Sequence, residues 1–101
     1  MINFLKSIFF GTPRSGKWSS LRDKLIKESG ECLSCGVKKE LTCHHIIPFS
    51  IDKTLELEES NLVVLCETCH FVFGHLKSWK SYNKNVIKDC RDYRLKVEYR
   101  P

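Results

Sequence analysis

Two Cys-x-x-Cys pairs, Cys32/Cys35 and Cys66/Cys69, constrain this chain more than any other feature. A chain of 101 residues buries only a modest core, so a crosslink between distant segments carries unusual weight in its stability. Four thiols in two such pairs supply the closed tetrahedral set of a structural zinc ion and would pin two tight turns, or knuckles, together. A redox reading needs a single pair in a strand-helix-strand setting, which this sequence lacks. A secreted disulfide scaffold is disfavoured because four of the six cysteines sit in the pairs. The apolar start, Met1 to Phe10, is interrupted by Lys6 and leads to no small-residue cleavage site. No stretch approaches the roughly 20 apolar residues of a membrane span. The expectation is a soluble protein of a reducing compartment such as the bacterial cytoplasm, with no membrane partner. Cys43 then reads as a small buried residue and Cys90 as a free thiol on a helix.

The patterning around the pairs is that of a small α+β domain. Trp18, Leu21, Leu25 and Ile26 follow helical spacing, with Gly30 placed to end that helix. Leu41 to Cys43 and Asn61 to Leu65 read as short strands. Between them runs a long loop with His44, His45, Pro48 and the acidic run Glu56 to Glu59, and loops of that length in small domains are often functional. The second knuckle leads into a helix carrying His70, Phe71, Phe73 and His75. Val86 to Tyr93 reads as a further short helix, and Leu95 to Tyr99 alternates like a strand. The expected organisation is an arm and loop at 1–16, a motif-bearing domain at 17–76 and a basic extension at 77–101.

The imidazoles exceed what the zinc can use. Hydrolysing a phosphodiester needs an activated water and a cation near the crowded phosphate. A neutral histidine is a competent proton acceptor near neutral pH, and histidines also hold divalent ions. His44 and His45 are adjacent, so a regular strand would send them to opposite faces. They can serve one phosphate only at a strand end or in an irregular loop. His70 follows ligand Cys69 and diverges from it by about 100° on a helix, which frees it to meet His44 at a second metal.

The net charge of +5 is uneven: residues 1–31 carry six basic and three acidic side chains, 32–76 three and six, and 77–101 eight and three. Basic arms around an acidic middle would attract a polyanion. Lys77, Lys80 and Lys84 interleave with Trp79 and Tyr82, a pattern in which bases stack on aromatics while cations hold phosphates. A helical cover whose Trp79 fills the core is compatible with the same pattern. Gly11 to Lys17 fits the first seven positions of a phosphate-binding P-loop, but Trp18 stands where the magnesium-binding Ser or Thr belongs.

From Arg14 to His75 the chain resembles the HNH endonuclease family. The matching residues are Cys32-Leu33-Ser34-Cys35-Gly36, Thr42-Cys43-His44-His45-Ile46-Ile47-Pro48 and Asn61 through His70, with Arg14, Ser15 and Trp18 in the lead-in. The resemblance implies a small ββα-metal (His-Me finger) domain with a structural zinc and flanking helices. It implies His45 as general base, His44 and His70 as ligands of a catalytic divalent ion, and Asn61 as the residue that bonds loop backbone and holds His45 in place. The first ligand position is often Asp in that family; His44 departs from this and favours Mn, Ni or Co over Mg. The implied activity is hydrolysis of double-stranded DNA, with Arg14 and Lys17 joining Lys77, Trp79, Lys80, Tyr82 and Lys84 as nucleic-acid contacts. The alternatives are a zinc-stabilised binding module without catalysis and an RNA-directed enzyme. A small format of this kind resembles nucleases of phages or mobile elements, as a monomer or weak dimer beside packaging or replication proteins.

Overall fold

The computed structural model describes residues 14–99. Most of the arm expected at 1–16, including Gly11 to Pro13 of the P-loop pattern, lies outside the described residues. Helix α1 spans Trp18–Ser29 and ends where Gly30, at φ 68°, takes a left-handed conformation and donates its N–H to Ile26 O at 2.9 Å. Glycine adopts that conformation without a Cβ penalty. The half-buried Trp18, Leu21, Leu25 and Ile26 form its inner side, in line with the helical spacing.

Strands β1 (Leu41–His45) and β2 (Leu62–Cys66) pair antiparallel, with Leu41 opposite Cys66 and His45 opposite Leu62. β1 is two residues longer than the sequence pattern indicates, so both histidines belong to its end. Asn61 lies in a 3-10 turn, Glu59–Asn61, just before β2. All five β2 residues are buried. Along β1 the pleat alternates: Thr42 and His44 meet the segment after the second knuckle, whereas His45 meets Trp18 of α1.

Helix α2 (Glu67–Cys69) continues directly into a π turn, His70–Gly74. After an irregular stretch, α3 spans Val86–Glu98. The strand-like reading of Leu95 to Tyr99 is therefore corrected. Those residues extend α3, and the Arg94–Glu98 pair at 2.9 Å supports its last turn. Five alternating residues carry too little signal to exclude a helix end.

The core gathers Cys32, Val63, Leu65, Cys66, Cys69, Val86 and Cys90. Four of these seven are cysteines, and three belong to the Cys-x-x-Cys pairs, so the zinc-type cluster sits inside the core. Val86 and Cys90 bring α3 into it. Arg94 adds a polar tie: its guanidinium donates to Cys32 O at 3.2 Å and to Glu31 at 3.1 Å, and it lies across Gly36.

Candidate metal centres and active site

The ligand atoms of Cys32, Cys35, Cys66 and Cys69 all lie within 4.8 Å of one another. The Cys35 and Cys66 sulfurs are 3.8 Å apart. That is far beyond a disulfide bond of about 2.05 Å, and it matches the edge of a tetrahedron with metal–sulfur bonds of about 2.3 Å. All six cysteines are free thiols. Burial would raise the Cys32 thiol, but surrounding backbone amides of the knuckles outweigh it and bring its pKa down to about 7. Cys32 thus favours the thiolate, the form that binds metal, whereas burial raises the Cys35 and Cys69 thiols. Burial pushes Cys43 up to about 11 and Cys90 up to about 12, the behaviour of inert core thiols.

A second cluster forms where β1 meets the π turn. Ring centroids of His44, His70 and His75 lie 4.8 to 5.0 Å apart, and their ligand atoms all fall within 4.8 Å of one another. His44 is 2 % exposed, and its Nε2 has no hydrogen-bond partner among the described residues. The hydrogen bonds around the other two rings fix their tautomers. Thr42 Oγ1 spends its proton on Leu65 O (2.7 Å), so it accepts from His70 Nδ1 (3.2 Å). His75 Nδ1 donates to Ser81 O at 2.8 Å. In the neutral rings both Nε2 atoms then carry bare lone pairs, yet they stand 3.2 Å apart. Bond lengths of about 2.1 Å to a shared cation place neighbouring nitrogens about 3.0 to 3.4 Å apart. Burial, then the neighbouring histidines, lowers His44 to about 3; burial, then His75, lowers His70 to about 4. Both rings are therefore neutral near pH 7, as metal ligation requires. The donor set fits a divalent ion, and the outer Nδ1–H bonds are the support that metal-binding imidazoles generally have.

His75 is the residue that sequence reasoning left without a role. Five positions on an α-helix turn a side chain about 140° away, so His70 and His75 do not share a helical face. The π turn, closed by His75 N–H to His70 O at 3.1 Å, brings His75 back beside His70. Such turns recur at functional sites. Gly74 gives the His44 ring its room, because a Cβ there would sit 3.0 Å from that ring and the ring would have to give by a few tenths of an ångström.

His45 is 8 % exposed and packs on Trp18 with ring centroids 4.4 Å apart. Its Nε2 lies 3.0 Å from Glu56 O. A carbonyl only accepts, so Nε2 bears the proton and Nδ1 presents its lone pair. Burial lowers the His45 pKa, partly opposed by that carbonyl. Asn61 grips the loop backbone. It accepts from Ile47 N–H (2.9 Å) and donates to Ile47 O (3.1 Å) and Leu55 O (3.3 Å). Glu56 was legible only as part of an acidic run. Its carboxylate is buried, accepts from Ser15 N–H at 3.1 Å on both oxygens, and faces Arg14 at 3.9 Å. It thereby joins the lead-in of α1 to the carbonyl that holds His45.

A cleft of about 780 Å³ runs along the free edge of β1, and His44, His45, His70 and His75 all line it, with Arg14, Trp18 and Trp79. Arg14 lies over the rings of Phe49 (4.4 Å) and Trp18 (5.7 Å). Of the other expected nucleic-acid contacts, Lys17 is exposed at the start of α1, and Lys77 and Lys80 are exposed on either side of Trp79 in the chain. Tyr82 is half-buried, and Lys84 lines a separate shallow hollow near Lys88 and Arg91.

These features define a small α+β domain with a four-cysteine cluster suited to zinc and a second, histidine-lined centre in an open cleft. Residues 30–71 match the family model described as HNH endonuclease. Members of this family are generally nucleases. The match contains both cysteine pairs, His44, His45, Asn61 and His70 and stops short of His75 and Trp79. No curated protein and no solved structure matches the chain.

Proposed function

We propose that the protein is a metal-dependent endonuclease that hydrolyses DNA phosphodiester bonds. The observation that carries this reading is the three-imidazole cluster opening into the same cleft as His45. His45 Nδ1 takes the proton of the attacking water, while its Nε2–H stays on Glu56 O and keeps the ring oriented. Asn61 keeps the loop that supplies that carbonyl in register. His44, His70 and His75 would hold the divalent ion, which supplies positive charge to the phosphate and the departing oxygen. Three nitrogen donors favour Mn, Co or Ni over Mg. Cys32, Cys35, Cys66 and Cys69 would hold the structural zinc. Arg14, Lys77 and Lys80 offer cations to the phosphates flanking the cut.

The test is relaxation of supercoiled plasmid by the zinc-loaded protein with added Mg, Mn, Co or Ni, or with none. Wild type nicks the plasmid when metal is added, more strongly with the transition ions than with Mg. Folded His45→Ala loses at least a hundredfold in rate, the scale of a general base. Salt-sensitive DNA binding with no nicking under any ion would replace the enzyme by a binding module.

A further inference from the structure

Trp79 is 63 % exposed, yet it stands against the histidine cluster. Its ring lies 4.8 Å from His75, 5.5 Å from His70 and 4.9 Å from Phe71. The backbone leading to it is strained: Leu76 and Lys77 have φ of 54° and 66°. Two consecutive non-glycine residues in that region cost about 1–2 kcal/mol each, and such conformations persist where the surroundings enforce them. Here Lys77 N–H donates to Phe71 O and Ser78 N–H to His75 O, both at 3.0 Å. A tryptophan that only filled the core would be covered. This one meets the imidazoles at steep angles, 55° to His75 and 86° to His70, lines the cleft and stays largely exposed. Ser81 O fixes His75 from the same loop, but that bond does not call for an open indole.

We infer that Trp79 is a stacking platform for an unpaired base next to the scissile phosphate, so that the enzyme prefers duplex DNA carrying an unpaired base at the cut over fully paired DNA. The inference rests on the nuclease reading above. An indole this close to the histidine cluster reaches only the nucleotide whose phosphate lies there, or its neighbour. In a paired duplex the faces of those bases are covered by adjacent pairs. An unstacked base offers its face freely, and the cost of extruding it is least where it is already unpaired. Lys77 and Lys80, exposed and within two residues of Trp79 in the chain, offer cations suited to the accompanying backbone.

The experiment is binding by fluorescence anisotropy, using zinc-loaded protein without added divalent ion. It compares a matched DNA duplex with the same duplex bearing one unpaired base. Wild type binds the second about fivefold to a hundredfold more tightly, the range given by base–aromatic stacking. Trp79→Ala abolishes the difference, and Trp79→Phe retains most of it. Equal affinities in wild type, or a preference that survives in Trp79→Ala, overturns the inference. Binding with this preference but without cleavage on adding metal would remove the nuclease reading and leave the platform standing. Binding to neither duplex would overturn both.

Discussion

At the scale of single residues, the hydrogen bonds around the histidines leave chosen nitrogens bare. Glu56 O, Ser81 O and Thr42 Oγ1 each occupy one nitrogen of His45, His75 and His70 and so free the other. The pH dependence follows from the sign of the His45 shift. Burial lowers its pKa below the ordinary 6.5, so the ring stays neutral to lower pH than a free imidazole. Activity should therefore be flat through neutrality and fall only below about pH 6.5 as the base becomes protonated. A rate profile under conditions where chemistry is limiting checks this, and an acidic limb centred above 6.5 would contradict the assignment. Gly74→Ala tests the second centre: its Cβ would lie 3.0 to 3.1 Å from the His44 ring and push that ring out of place. Calorimetric titration with Ni, the zinc site being filled, should show affinity weakened about tenfold or more, the scale at which lost support around a metal ligand registers. His44, His45 and His70 stood out in the sequence by type and spacing, and all three line one cleft. His75 and Glu56 did not stand out, because their roles depend on a π turn and on a contact across 41 residues of chain.

At the scale of elements, α3 is tied to the first knuckle through Arg94 rather than through apolar packing alone. Its guanidinium reaches Cys32 O and Glu31 and lies over Gly36, whose φ of 80° already requires glycine. Gly36→Ala combines a left-handed alanine with a 3.0 Å contact to that guanidinium. It should destabilise the domain by about 1–2 kcal/mol from the backbone alone, read as a lower Tm with zinc bound. An unchanged Tm would show that α3 does not depend on this tie. The helix pattern of α1 and its glycine stop were plain in the sequence because an amphipathic period and a left-handed cap are local signals. The end of α3 was misread because alternation over Leu95 to Tyr99 is equally local and the pairing of Arg94 with Glu98 is not part of it. The π turn has no sequence signature of its own.

At the scale of the whole molecule, the metal-type cluster and the core are one object: Cys32, Cys66 and Cys69 are themselves core residues. Structural zinc in small domains contributes roughly 10–16 kcal/mol at neutral pH, against a total stability of about 5–15 kcal/mol for a typical domain. Removing zinc with a strong chelator should therefore unfold the protein, with loss of helical circular dichroism that returns on adding zinc. A chelated protein that kept its cooperative melting would refute this account. The cysteine pairs, the adjacent histidines and the strand patterns were enough to determine the class of domain and that the four cysteines could gather at one point, because each is a matter of residue type at short spacing. What the tertiary structure alone decided is which nitrogens are free, that His75 joins His44 and His70, that Glu56 anchors the support of His45, and that Trp79 stands open beside them. Those are relations between segments distant in the chain, set by strand register, the π turn and burial, and a linear pattern of residue types does not encode the distances on which they depend.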